Sequence, residues 1–429
     1  MRAVAGRRAA PSTGAPSGVC SSNQGMLECF NRRLETRIAG HMKTRRSCFG
    51  RLEHLLYMLG IIVVACSDGS GEARSSVSAA ADAPIHVEAS PILTIGGMSE
   101  TPGHTLDQVV TPFLLPDGAV AVPLTSTGEI RIFNPDGVYR STLGGKGQGP
   151  GEFQYLMAAW PRADTIEALD LGLRRITRFL PSGQVETIEL TADVRDLSLR
   201  PGPLGSGWFV GGVVRAGFGE RDAMEIHAVN RAGAELGKIA DLAGFIRVMV
   251  PGGGSVLAPL VQRGLVSGAG DQVFIIDGYT GTYEIYDSSR ALLATGDWFT
   301  DLEHDPGEAT REVLDSVAAR AGPERGASAR SRWGAAPVPD QVSKVAAILG
   351  DSVGFVWVLP FDPIKHSMAL GGRAIGGHWR VIGSDGQMLN EVEMPDGLQP
   401  TYIGGDALVG IARDSLGVES VRVHRIKRR

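Results

Sequence analysis

From about residue 110 onward, one unit recurs six times: a polar turn, an apolar strand, a second strand and a second turn. The opening turns are Asp117-Gly118, Asp164-Thr165, Ser206-Gly207, Asp271-Gln272, Asp351-Ser352 and Asp406-Ala407. In each unit the last large apolar residue of the second strand lies four positions before a turn residue. The pairs are Phe133/Gly137, Phe179/Gly183, Val229/Gly233, Tyr286/Arg290, Ile382/Gly386 and Val423/Lys427. Four of these six turn residues are Gly, which reaches the positive φ of a tight hairpin at no steric cost. Units of this kind, about forty to fifty residues apart, predict an all-β chain folded as a six-bladed β-propeller.

The strands of each unit alternate as half-buried strands do. Val185-Glu186-Thr187-Ile188-Glu189-Leu190 shows the period of two most plainly. Each blade needs an outermost strand after its second turn, and the sixth cannot supply one before the chain stops at Arg429. The segment Ile85 to Ile95 is strand-like and unclaimed. It is expected to close the ring as the outer strand of blade six, because an open ring leaves two unpaired edges.

The repeat is interrupted between blades four and five, at about 300–345. Asp305 as N-cap, Pro306 at the first helical position and Val313, Leu314 and Val317 on one face predict a helix to Ala321. Gly322 to Ala336, rich in Gly, Ala, Ser and Arg, reads as a mobile linker. A second short helix is expected near Asp340, through Val342, Val345 and Ala346.

Residues 84–429 therefore form the propeller, and the chain before them has another purpose. Residues 1–41 lack apolar periodicity and precede a second plausible start at Met42, so they read as a non-native extension. From Met42, basic Lys43, Arg45, Arg46 and Arg51 precede an apolar stretch of eleven residues, Leu55 to Ala65. That is too short to span a bilayer, which takes about 20 residues, and has the form of a secretion signal. It ends in Val63-Val64-Ala65-Cys66-Ser67, which resembles the lipobox of bacterial lipoproteins. The resemblance implies that Cys66, whose thiolate is a good nucleophile, becomes diacylated. Ser67 to Ala83 is rich in Ser, Gly and Ala and reads as a flexible tether.

Cysteine and charge agree with export. All four cysteines (Cys20, Cys29, Cys48 and Cys66) precede the propeller, which therefore has neither a disulfide nor a thiolate nucleophile. The chain carries 42 basic and 47 acidic residues. The first 66 hold 10 and 3 of these, leaving 32 against 44 for the mature protein. A domain this acidic is unsuited to a nucleic-acid partner, whose binding rests on Lys and Arg. The terminal Arg425 to Arg429 run is expected to solvate a frayed end.

The connection Gly144-Gly145-Lys146-Gly147-Gln148-Gly149-Pro150-Gly151-Glu152-Phe153, taken with the blades and Cys66, resembles that of NHL-like six-bladed propellers. These occur in secreted and lipid-anchored bacterial proteins. The resemblance covers residues 85–429 and implies the fold far more than any activity. The run is not a phosphate-binding loop: Lys146 is followed by Gly147 and Gln148, and Pro150 blocks a helix. It is expected to be a blade-to-blade crossover, with Phe153 packed between sheets.

No constellation of catalytic or metal-binding residues stands out. Propeller lactonases resembling gluconolactonase gather Glu, Asn and Asp around a divalent cation. The mature chain has only Asn134, Asn230 and Asn390, none on an inner strand, so no metal or cofactor is expected. His86, His104, His227, His304, His366, His378 and His424 show no ligand spacing. Asp170, Asp277 and Asp287 lie near strand ends, where turn capping explains them as well as a role at the axis. No G-x-S-x-G elbow is present. The expected function is a monomeric, lipid-anchored binding or scaffold module of the cell envelope, in the periplasm or at the cell surface. It would engage a protein, peptide or glycan on one propeller face. The alternative is an envelope hydrolase, lyase or oxidoreductase with its site in the central funnel.

Overall fold

The computed structural model describes residues 84–428, apart from 99–100, 192–201, 206, 251 and 373–374. The expectations for residues 1–83, Cys66 among them, lie outside the described residues. The strands form six antiparallel sheets. Blade one is Phe113–Leu114, Val120–Leu124, Glu129–Phe133 and Tyr139–Gly144. Blade two is Leu156–Arg162, Thr165–Asp170, Arg175–Phe179 and Val185–Glu189. Blade three is Gly202–Leu204, Gly207–Val214, Arg221–Val229 and the long Glu235–Met249, which Ser255–Leu257 extends as a fifth strand. Blade four is Gly264–Ala269, Gln272–Asp277, Thr282–Asp287 and Leu292–Asp297. Blade five is Val345–Gly350, Val356–Pro360, His378–Ile382 and Met388–Glu393.

Blade six confirms the closure scheme. Its own strands are Leu398–Ile403, Ala407–Arg413 and Glu419–Arg428, and its outer edge is made by β1 (Ile85–Val87) and β2 (Leu93–Gly96). Both pair antiparallel with the last strand: Ile85 faces Arg428, and Ile95 faces Val421. Between them the chain shifts sides. Ile85 and Val87 are buried against blade five, with Trp357 and Trp379, whereas Ile95 is buried against blade one, with Val120 and Phe133. One short segment thus seals both interfaces of blade six.

The second turns follow the predicted chemistry at five of six places. Gly137, Gly183, Gly233 and Gly386 have φ between 82° and 85°, and Arg290 takes φ 73° in the same role. Arg290 tolerates that conformation because Asp287 Oδ1 accepts from Ser289 N and Ala291 N and holds the turn. The sixth place differs: Lys427 is no turn residue but pairs with His86 inside the closing ladder. The run Arg425 to Arg428 is therefore strand, not a frayed end. Pairing with β1 satisfies backbone groups that would otherwise be solvated.

The insertion is partly as expected. Helix α1 (Pro306–Ala321) starts at Asp305, whose Oδ1 accepts from Glu308 N at 2.6 Å, and it buries Ala309, Val313 and Val317. The expected linker instead contains helix α2 (Gly326–Trp333), packed on α1, with Arg330 paired to Asp315. The glycines that suggested a linker lie at its ends, while Ala327, Ala329, Arg330 and Arg332 favour helix, and packing on α1 holds so short a helix in place. The helix expected near Asp340 is absent. Val345 and Ala346 open the innermost strand of blade five, and Val342 is buried beneath α1.

Deleting residues 84–97 removes three buried aliphatic side chains and the outer ladder of blade six. The expected loss is on the order of 5 kcal/mol, read as a lower denaturation midpoint. Deleting residues 67–80 is expected to leave the midpoint unchanged. Equal midpoints for the two deletions would contradict the closure scheme.

Candidate functional site

Four antiparallel strands per blade give the ring two unlike faces. The turns joining first to second and third to fourth strands share one face, and the opening turns and glycine hairpins named above lie there wherever their residues are described. The opposite face carries the second-to-third strand turns and the crossovers between blades. The longest is residues 298–344, between blades four and five, and it packs with residues 361–372, which follow the second strand of blade five. Together they build a helical cap.

The cap has its own core of Leu260, Ala309, Val313, Val317, Val342 and Phe361. Leu260 lies just before the innermost strand of blade four, and partly buried Ala346 belongs to that of blade five. The cap is therefore seated on the ends of those two inner strands. Between α1 and the one-turn helix α3 (Pro363–His366) runs a groove of about 380 Å³, lined by His304, Asp305, Glu308, Glu312, Asp362 and Lys365. Two of its carboxylates already have work. Asp305 caps α1, and Asp362 Oδ1 accepts from Ile364 N (2.9 Å) and Lys365 N (3.0 Å). Exposed Glu308 and Glu312 make the groove acidic. Nearby, the Arg380 guanidinium grips Asp301 with bonds of 3.0 and 2.8 Å and holds its carboxyl below the usual carboxylate range.

The innermost strands were not recognised in the sequence. They read Phe-Leu, Leu-Met-Ala-Ala-Trp-Pro-Arg, Gly-Pro-Leu, Gly-Leu-Val-Ser-Gly-Ala, Val-Ala-Ala-Ile-Leu-Gly and Leu-Gln-Pro-Thr-Tyr-Ile. Short, rich in Gly, Ala and Pro, and without alternation, they give no strand signal by themselves. Their titratable side chains are Arg162 and Tyr402. Arg162 is fully engaged, with Glu167 and the carbonyls of Gly205 and Gly207. Burial, and next the charge of Asp406, raises the Tyr402 phenol above its ordinary value.

The polar residues singled out in the sequence fall into structural positions. Asp170 accepts from Gln154 N, Tyr155 N and Leu173 N, and Asp277 accepts from Tyr279 N while pairing with Arg221 at 3.2 Å. With Asp287 in its hairpin, all three are turn caps. Asn134 binds Arg140, Asn230 holds its own turn, and Asn390 donates to Ile85 O at 3.1 Å. His104 bridges Gly96 N and Gly137 O, and His227 Nδ1 lies 2.6 Å from Glu235. No group of three or more His, Cys, Asp or Glu among the described residues is arranged to hold a metal ion. The Gly144–Phe153 connection is a crossover: Arg175 donates to the carbonyls of Gln148, Gly149 and Glu152, and Phe153 is fully buried.

The role of two buried carboxylates was not legible in the sequence, because each is completed from the neighbouring blade: Glu167 by Trp208 and Arg231, Asp351 by Arg428. Glu167, fully buried in blade two, accepts from Trp160 Nε1 (3.0 Å), Arg162 Nε (3.0 Å), Trp208 Nε1 (2.6 Å) and Arg231 Nη1 (2.9 Å). Arg178 stands 3.5 Å away. Burial lowers Arg231's hold on its proton, which the charge of Glu167 opposes. Asp351 repeats the motif between blades five and six, accepting from Trp357 Nε1 (3.1 Å) and Arg428 Nη2 (2.8 Å). With both oxygens saturated, neither carboxylate is free for acid–base work. Their role is to hold blades together.

No protein-family model matches the chain, and no curated protein matches it in sequence. Solved structures do. A member of the DUF4221 family from Bacteroides vulgatus is 10% identical, over 80% of this chain and 98% of that one, with a TM-score of 0.45. Virginiamycin B lyase from Staphylococcus aureus is 9% identical over 75% and 94%, with a TM-score of 0.35. A calcium-binding protein, regucalcin, from Agrobacterium tumefaciens is 12% identical over 76% and 92%, with a TM-score of 0.31. At this distance the likeness adds nothing to the six-bladed topology that the strands already define.

Replacing Glu167 with Ala leaves the buried indole N–H groups of Trp160 and Trp208 without an acceptor and removes the charge that faces the part-buried Arg162 and Arg231. The expected cost is about 4 kcal/mol in chemical denaturation. A loss below about 1 kcal/mol would show that the cluster does not hold blades two and three together.

Proposed function

We propose that this protein is a non-catalytic binding or scaffold module of the bacterial envelope, held to a membrane by lipid on Cys66. Its partner, a protein, peptide or glycan, is engaged by the face that carries the cap. The observation that carries this reading is the make-up of the six inner strands. The part of a propeller that most readily assembles a funnel site offers mainly Gly, Ala, Pro and aliphatic residues, with Arg162 engaged by Glu167 and two carbonyls and Tyr402 partly buried, while irregular chain is concentrated on one face. Loops on a rigid scaffold are where recognition is commonly placed. The short apolar run before Cys66 supports the anchor, since two or three acyl chains hold a protein firmly without a spanning helix.

Two measurements test the proposal. Metabolic labelling with a palmitate analogue is expected to tag the wild type and not Cys66→Ser; labelling that survives the substitution ends the anchor reading. For the face, a photo-crosslinking residue is placed at exposed Glu308 or Leu416, on the cap face, or at exposed Val353 on the other. Crosslinks to a discrete partner in intact cells are expected from the first two positions. Equal yield from Val353, or turnover of lactones or esters with a stoichiometric bound cation, would overturn the reading.

A further inference from the structure

Residues 361–372, which follow the second strand of blade five, are folded around one imidazole. His366, the last residue of α3, is 3% exposed, and its Nδ1 lies 2.8 Å from Asp362 N. A backbone N–H only donates, so Nδ1 is an acceptor and the ring is the neutral tautomer with its proton on Nε2. The ring meets Phe361 edge-on, with centroids 5.9 Å apart, and Phe361 belongs to the cap core. A second proton on Nδ1 would set two N–H groups against each other and bury a cation among apolar side chains.

We propose that the cap is an acid-released lid: protonation of His366 frees residues 361–372 from α1 and dismantles the groove between α1 and α3. Charged groups lie on the elements packed around this segment, and of these Asp362 and Lys365 act on the imidazole directly. Asp362 and Lys365 belong to its own segment. Across the groove stand His304, Asp305, Glu308 and Glu312, and Arg320 of α1 donates to Leu370 O at 2.9 Å. The turn Met368–Leu370 brings no charge. On the ring side, Lys344 O accepts from Phe361 N, while Lys344 Nζ is bound to the carbonyls of Phe299 and Leu302. Burial outweighs the carboxylates: it pushes the imidazole down to about 4, against the raising effect of Asp362 and with a smaller lowering by Lys365. In a released cap the group returns to its ordinary 6.5.

The closed cap then binds fewer protons than the open one. Closure is fully favoured above the ordinary value and weakens as pH falls from there toward 4. Between pH 7.5 and pH 5 the open-to-closed ratio rises roughly thirty-fold.

Hydrogen exchange of the full chain, corrected for intrinsic rates, reads this directly. Amides of 306–333 are expected to lose roughly thirty-fold protection between pH 7.5 and 5, and those of the blade strands to lose little. In His366→Asn, whose amide oxygen replaces Nδ1 as acceptor, and in His366→Gln, the selective loss should disappear. His424→Gln, which alters the other buried imidazole, should retain it. Selective loss that persists in both His366 variants, or its absence in the wild type, overturns the proposal. Should both variants leave the cap open at pH 7.5, the wild-type His366 resonance decides by titration: a midpoint below about 5.5 supports the lid, and one near 6.5 refutes it.

Discussion

The ring stands or falls on how its two ends meet. Five blades complete themselves from chain that follows in sequence, but the sixth takes its outer edge from β1 and β2. The borrowed strands do more than cap an edge. Ile85 and Val87 join the packing between blades five and six, and Ile95 joins that between six and one. Without them two interfaces would lose apolar cover at once, and the last strand would present a bare ladder. Closure also places the start of the fold beside its end, so every other blade is constrained from both sides.

Within that constraint, polar groups join each pair of neighbouring blades. Thr125 Oγ1 donates to Leu156 O between one and two, and Arg221 meets Asp277 between three and four. Ser267 Oγ accepts from Gly350 N between four and five, and Thr401 Oγ1 donates to Pro112 O between six and one. At two interfaces the join is a carboxylate held by an indole and a guanidinium: Glu167 with Trp208 and Arg231, and Asp351 with Trp357 and Arg428. Such clusters add little net stability when complete and cost much when broken. They fix register between sheets whose apolar faces would tolerate sliding.

Two elaborations depart from the repeat among the described residues, and together they explain the uneven spacing of the units. Blade three is lengthened by its fifth strand, and blade five is preceded and interrupted by the cap connections. Both elaborations lie around blade four. The ring can carry them because crossovers and second-to-third strand turns share a face, so added chain accumulates there without disturbing the hairpins on the other.

The sequence by itself determined the regular half of this protein. Asp-initiated turns, glycines at positive φ and alternating strands are local effects, and they revealed six blades, the closing segment and the N-cap at Asp305. All of those turns belong to one face, where the connections are too short to vary. Only the tertiary structure decided the rest. The inner strands are strands because neighbours supply their ladders, not because their Gly- and Ala-rich sequences favour it. Helix α2 forms against α1, and Val345 extends into blade five where a local reading expected helix. Glu167, Asp351 and His366 acquire their partners from packing. Glu167 is completed by Trp208 and Arg231 and Asp351 by Arg428, all far away in the chain, and His366 becomes an acceptor by being folded back onto the backbone of Asp362 within the cap. Local chemistry writes hairpins into a sequence, whereas burial and long-range pairing exist only once the ring has closed.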